Sequence, residues 1–339
     1  MSRPKVYVSR EIAEKGLNLL REATEMTVWQ EKELMPRATQ FQLFADCDGL
    51  LTTTDIAVNA ELLEACPNVK VISNQAVGFD NVDIQACTAA GVPVGNTPDV
   101  LTETTADLAF ALILASARRL AEMVAWVKQD LWTPERGMLE GLGADVHHAT
   151  LGIIGLGRIG REVARRASGF NMTVLYHDLQ RDPQAEQEFG AKYVDKEILL
   201  QQSDFVSLHL PLSTDTHHFI GADELKLMKS SSILINSARG QIVDQTALLN
   251  ALKNRQISGA GLDVTDPEPM RSSDPLLALP QVTILPHIGS ATLKTRADMA
   301  ERAALNLMNA LSGQPMISCI NPDAAGTGRS ASLYGRTNP

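Results

Sequence analysis

The stretch "TLGIIGLGRIG", Thr150 to Gly160, decides how the rest of the chain is read. Its first half is an apolar, β-branched run and reads as a buried strand. It passes directly into Gly155-Leu156-Gly157-Arg158-Ile159-Gly160 and then into "REVARRASGF", which opens a helix. A bare G-x-G-x-x-G says little, but one set between a strand and a helix is a strong sign of a phosphate site. Gly155 allows the tight turn, Gly157 lets the backbone approach a pyrophosphate, and Gly160 lets the helix pack closely on the strand. The unbonded N–H groups at the start of that helix, with the positive end of its dipole, suit phosphates, and Arg158 and Ile159 lie within this turn. The competing reading is a glycine-rich turn with no ligand.

The next strand-like run, "MTVLYHD", ends at Asp178, about twenty residues beyond the glycines, where an acid accepts a hydrogen bond from the ribose 2′-OH of NAD. A 2′-phosphate there would meet repulsion, so NAD(H) is favoured over NADP(H). Arg181, a little further on, could bend towards a phosphate, which keeps NADP(H) possible. Further runs follow in "SDFVSLHLPL", "SSILINSARG", "ISGAGLDV" and "QVTILPHIG". With the first two they make six strands separated by helix-like segments, the full complement of a dinucleotide-binding domain. Upstream, "KVYV", "DGLLTTT", "VKVISNQAVG" and "GVPVGNTP" alternate with helical patterns in the same way, the mark of a parallel sheet covered on both faces. Between the two series, a single long helix is expected from Thr102 through Trp132, apolar on almost every side in its first turns. A last helix, "KTRADMAERAALNLMNALSG", ends at a glycine. Residues 324–339 are small and polar and read as a disordered tail.

Charged or titratable residues close three consecutive strand runs: Arg239 after "ILINSA", Glu268 after "GAGLDVTDP", and His287 after "VTILP". In an open parallel sheet, ligands bind beyond the carboxyl ends of the strands. Reduction of a 2-oxo acid needs a fixed cation for the carboxylate, and arginine offers a planar fork that never loses its charge. It also needs a proton donor for the carbonyl oxygen, and histidine titrates near neutrality. A carboxylate beside that histidine fixes the ring and favours its charged form. Each residue also has an ordinary reading, as a solvated turn arginine, a loop glutamate or a satisfied core histidine. Gly289, Ser290 and Ala291 leave the histidine room to stay uncovered.

The bulk composition narrows the partners. At 339 residues and 44% hydrophobic, the chain can bury a large core in two domains. It carries 40 acidic against 30 basic residues, with no basic cluster, which speaks against nucleic acid and anionic membrane surfaces. The four cysteines show no C-x-x-C spacing, so no metal site is expected and the thiols read as reduced and structural. No signal peptide or membrane span stands out, and a cytoplasmic protein is the default.

The stretches "GIIGLGRIG", "INSARGQIVD", "GLDVTDPEP" and "LPHIGSAT" resemble the signatures of the D-isomer-specific 2-hydroxyacid dehydrogenase family. "NQAVGFDNVD" and "NTPDVLTETTADLAFALIL" are most similar to its glyoxylate/hydroxypyruvate reductase branch, which also includes 2-ketogluconate reductases. The resemblance runs from about Lys5 to Pro322. It implies an α/β fold of two Rossmann-like domains, each a parallel sheet with helices on both faces. The substrate domain is then split over 1–101 and 290–323, around a dinucleotide-binding domain at 102–289. It implies a catalytic triad of Arg239, Glu268 and His287. The backbone at Val77 and Gly78 would hold the substrate carboxylate with Arg239. Cofactor contacts would come from Thr105, the Arg158-Ile159 turn and Asp263, and the usual state is a homodimer. Members of this branch that favour NADPH carry arginine or other non-acidic residues after the second strand, where this chain reads Tyr176-His177-Asp178-Leu179-Gln180. The leading expectation is NAD(P)H-dependent reduction of glyoxylate or hydroxypyruvate. The same residues also fit 2-ketogluconate or phosphite as substrate, and some relatives act instead as NAD-sensing corepressors. Thr52, Thr53 and Thr54 suit a polar substrate tail.

Overall fold

Strands and helices alternate along the chain and build two separate parallel sheets. The computed structural model describes residues 3–334. The chain divides into two units, Met1–Leu101 with Ser290–Pro339, and Thr102–Gly289.

The first unit carries β1 (Lys5–Val8), β2 (Glu25–Val28), β3 (Gly49–Thr52), β4 (Val71–Asn74) and β5 (Val94–Gly95), in the order β2-β1-β3-β4-β5. Every pairing is parallel. All residues of β3 and β4 are buried, as expected of central strands covered on both faces. The helices between them are α1 (Glu14–Ala23), α2 (Arg37–Phe44), α3 (Ala60–Ala65) and α4 (Ile84–Ala89). Asn59 and Asp83 start the last two by accepting the N–H groups of Leu62 and Ala86 on their side chains. Strand β2 gives no apolar run in the sequence because it lies on the sheet edge, where its residues alternate between exposed and half-buried.

The second unit opens with α5 (Thr102–Ala117) and α6 (Leu120–Lys128). The single helix expected from Thr102 to Trp132 is therefore broken. Arg119 takes a left-handed φ of 53°, its guanidinium forks onto Glu122 at 2.6 and 2.7 Å, and the Ala117 carbonyl accepts the Ala144 N–H at 2.8 Å. Once the returning chain occupies that carbonyl, the helix cannot continue along its first axis. Helix α5 buries Ala106, Ala109, Leu112 and Ile113 in the core, whereas α6 buries none of its residues.

The sheet of this unit comprises β6 (Thr150–Ile154), β7 (Thr173–His177), β8 (Lys192–Tyr193), β9 (Phe205–Leu208), β10 (Ile233–Asn236), β11 (Gly259–Leu262) and β12 (Val282–Ile284). Its order is β12-β11-β10-β9-β6-β7-β8, again parallel throughout. The six expected strands are present. The seventh, β8, is two exposed residues on the outer edge, too short for any periodic signal. The helices α7 (Arg158–Ser168), α8 (Pro183–Phe189), α9 (Lys196–Gln202), α10 (Ala222–Leu227) and α11 (Gln245–Lys253) cover both faces. Strand β6 pairs with β7 on one side and β9 on the other, so the order reverses there. That reversal opens a crevice at the carboxyl ends of the strands.

The helix α12 (Leu293–Leu311) completes the first unit and packs along α1. The segment after Pro322, expected to be a disordered tail, is ordered through α13 (Ala331–Tyr334). The Arg329 guanidinium donates to the carbonyls of Leu63 and Cys66 at 2.8 and 3.0 Å, and Ser330 is fully buried with its hydroxyl on Ala324 O. Composition misreads this segment because much of its anchoring is hydrogen bonding to backbone carbonyls, with Ala324 buried and Tyr334 packed on the core. Residues 335–339 of the expected tail lie outside the described residues. Among the described residues, no helix is long and apolar enough to cross a membrane.

Candidate active site

The glycine loop leaves the end of β6 at Gly155, whose φ of +91° suits a residue without a side chain. Gly157 is the N-cap of α7 and offers no side-chain acceptor to the helix start. A Cβ built on Gly157 would meet nothing within 4 Å, so space stands open above the first turn. An uncapped helix start facing open space fits a pyrophosphate. Gly160 is buried in that turn, Ile159 packs on the core, and Arg158 opens the helix.

Asp178 follows β7 and ties the loop together. Its Oδ2 accepts the Leu156 N–H at 2.7 Å and its Oδ1 accepts the Leu179 N–H at 2.7 Å. A carboxylate has room for further donors on both oxygens, so the ribose role expected of Asp178 is compatible with this anchoring.

Beyond β10, β11 and β12 the three expected catalytic residues stand in one unit. His287 Nδ1 lies 2.6 Å from Glu268 Oε1, and both side chains are 39% exposed. With Nδ1 so engaged, Nε2 is the nitrogen left to face a ligand. Burial pushes the Glu268 carboxyl up, but the His287 hydrogen bond and charge, the Thr265 backbone and the charge of Arg239 together hold it below the usual carboxylate range. Arg239 thus acts electrostatically on the pair. Its loop is drawn against the one bearing Glu268 at Gly240, where a Cβ would lie 2.0 Å from the Thr265 carbonyl.

Asn236 and Ser237 escaped the sequence reading, whereas Asp263 and Thr105 were expected as cofactor contacts. Asn236 is buried at the end of β10, donates to the Arg239 carbonyl at 2.8 Å and accepts the Ala238 N–H at 3.0 Å. Asp263, expected near the carboxamide of the cofactor, directs its two carboxylate oxygens to the N–H groups of Ile288 and Gly289, each at 2.7 Å. Thr105 is buried in the first turns of α5. Ser237 Oγ, after β10, is buried with no hydrogen-bond partner among the described residues. The only sequence signal for Asn236 and Ser237 is that small polar residues stand at the end of a strand run.

Val77 and Gly78 belong to the first unit and are described within it. The Val77 carbonyl accepts from Asn96 at 3.0 Å and the Gly78 carbonyl from Asn74 at 3.2 Å. Among the described residues, neither of their N–H groups has a hydrogen-bond acceptor. Gln75 Oε1, at the start of the same turn, is also buried without a partner. Thr52 is fully buried and donates to Asn74 at 3.2 Å, and Thr53 bonds Asp55, so Thr54 is the most exposed of the three threonines. All four cysteines are free, and burial pushes the Cys87 thiol up to about 12. Among the described residues, no three His, Cys, Asp or Glu side chains converge on a possible metal.

Known proteins are similar to this chain over nearly its whole length. The profile of the NAD binding domain of D-isomer specific 2-hydroxyacid dehydrogenases matches residues 110–289. A glyoxylate reductase of Thermococcus litoralis is 46% identical over 324 residues, covering 95% of this chain and 98% of the relative. A glyoxylate/hydroxypyruvate reductase B of Citrobacter koseri is 46% identical over 327 residues, covering 96% and 100%. Among solved structures, an NADPH-dependent glyoxylate/hydroxypyruvate reductase of Sinorhizobium meliloti, crystallised with NADP and malonate, gives a TM-score of 0.85. It shares 32% identity over 95% of this chain and 98% of that one.

Proposed function

The chain belongs to the D-isomer-specific 2-hydroxyacid dehydrogenase family, and from that premise we propose that it reduces glyoxylate or hydroxypyruvate to the 2-hydroxy acid, of D configuration where the product is chiral. The observation that carries this reading is the His287–Glu268 pair, 2.6 Å apart and part-exposed beyond the strand ends. The unit Thr102–Gly289 is the proposed dinucleotide-binding domain, and the other unit is the proposed substrate domain.

A bound nicotinamide supplies the hydride to the carbonyl carbon. Arg239 pairs with the substrate carboxylate, a task for its planar, permanently charged fork. The unpaired amides of Val77 and Gly78 are further proposed donors to that carboxylate. His287 gives its proton to the carbonyl oxygen as the carbon is reduced, so that C=O becomes CH–OH, and it takes the same proton back in the oxidation. Glu268 remains an anion and holds the ring by Nδ1. Proton transfer of this kind contributes about 10² to 10⁴ in rate.

NAD(H) is the proposed cofactor, supported by the carboxylate of Asp178 where the ribose would lie. The proposed assembly is a homodimer in the cytoplasm. The second unit supports association, because Val124, Val127, Leu131, Trp132, Met138 and Leu139 are all at least half exposed along one segment.

The test is a kcat/KM comparison over glyoxylate, hydroxypyruvate, 2-ketogluconate and phosphite, each with both cofactors in the matching redox direction. Preference for the first two supports the proposal, and turnover of none of the four rejects it. In His287→Ala, kcat falls 10²-fold or more while NADH still binds. Near-normal turnover in that variant would reject the acid role.

A further inference from the structure

The loop between β7 and α8 holds a cation, and α8 an anion, that the proposed reaction does not use. Arg181 is two-thirds exposed, yet it does not extend into solvent. Its Nε and Nη2 donate to Oε1 and Oε2 of Glu186 at 2.6 and 2.7 Å, a fork-on-fork pair. Oε1 of Glu186 also accepts the hydroxyl of Tyr176 at 2.8 Å. The Tyr176 ring is fully buried in β7, and its oxygen accepts the Asp182 N–H at 2.7 Å. Hydrogen bonds from Arg181 and Tyr176 hold the Glu186 carboxyl below the usual range, so it is an anion at working pH. An exposed ion pair between two mobile side chains is worth little. Here one partner is already fixed by a buried ring, so Arg181 is held in one geometry.

This corner is where NAD and NADP differ. A 2′-phosphate beside Asp178 needs a cation close by. Arg181 is the only basic residue from Asp178 to Ala191. The neighbouring Arg161 on α7 is itself paired with Asp182 and, at 3.8 Å, with Glu188. We propose that Glu186 is a specificity-determining residue, which holds Arg181 away from the ribose and so denies a 2′-phosphate its counter-charge. Discrimination between the two cofactors then comes from two carboxylates, Asp178 by direct repulsion and Glu186 by sequestering the arginine. This inference rests on the reading that the ribose lies at Asp178.

The test is calorimetric titration of the intact protein with NADH and NADPH, and with AMP and adenosine 2′,5′-bisphosphate as fragments. Glu186→Gln keeps an acceptor for Tyr176 and removes the charge that holds Arg181. NADPH and the bisphosphate should bind about tenfold tighter to it, the scale of one charge-assisted contact, while NADH and AMP change less than about twofold. Adding Arg181→Ala should erase the gain. Two results overturn the proposal: unchanged NADPH affinity in Glu186→Gln, or an equal change for NADH and NADPH, which would mean only a loosened loop. Asp178→Ala separates the two levels of the argument. If it weakens NADH while Glu186→Gln does nothing, only the role of Glu186 falls. If it leaves NADH unchanged, the ribose lies elsewhere and both readings fall.

Discussion

Asp263 holds the backbone of His287: its carbonyl accepts the His287 N–H at 2.9 Å, while its carboxylate takes the next two N–H groups, those of Ile288 and Gly289. The constraint has a clear purpose. His287 has a φ of +53°, a left-handed conformation that costs a residue with a side chain about 1 kcal/mol or more and persists only where neighbours enforce it. In Asp263→Ala, two N–H groups lose their acceptor and the turn can relax. We expect kcat to fall at least about tenfold, with a smaller loss in Asp263→Asn, which keeps one acceptor oxygen. Steady-state rates beside melting curves check this, and a normal kcat in the alanine variant would remove the clamp from the account.

Glu268 should matter through its charge. Its carboxyl lies below the ordinary range, so in the folded protein it stays ionised above the usual carboxylate pKa and is neutralised only as pH falls through the lowered value. Glu268→Gln keeps the shape and removes the anion at every pH. The reduction should slow by about tenfold or more, because the ring loses the anion that holds it by Nδ1. A kcat equal to that of the parent protein would contradict this role.

The parts of the molecule that repeat a pattern were legible in the sequence. Buried parallel strands read as apolar runs, the glycine loop has fixed spacing, and Arg239, Glu268 and His287 each close a run. What stayed hidden has a common physical character. Strands β2 and β8 lie on sheet edges and carry no apolar pattern. The break at Arg119 depends on the Ala144 N–H, which arrives from 25 positions along the chain. Asn236, and the clamp that Asp263 forms on the His287 turn, work through hydrogen bonds to backbone, and any polar residue at a strand end looks alike until the partner is seen. The ordered end of the chain is the same case, since Arg329 binds carbonyls.

That end yields a stability prediction. Leu63 and Cys66 lie in the last turn and at the cap of α3, where carbonyls lack helical partners. A guanidinium on two such carbonyls is worth about 1.5–3 kcal/mol. Arg329→Ala should lower the unfolding free energy by that amount in urea titration and leave kcat unchanged. Unchanged stability would mean that the segment merely rests on the unit.

The last prediction concerns His209, which follows β9 beneath the glycine loop. Its N–H donates to the Ile154 carbonyl at 2.8 Å, its Nε2 meets Ser207 Oγ at 2.9 Å, and a Cβ on Gly155 would lie 2.9 Å from its carbonyl carbon. Burial pushes the ring down to about 4, from 6.5 for an unperturbed histidine. The folded protein therefore keeps His209 neutral, while the unfolded chain takes up a proton below pH 6.5. Stability from this site is complete above that pH and is lost progressively as pH falls towards 4, by about 3 kcal/mol in all. His209→Gln keeps a polar group for Ser207 and cannot take up the proton. Its urea midpoint should decline less between pH 7 and 4. Identical pH slopes in the two proteins would show that the folded ring accepts the proton after all.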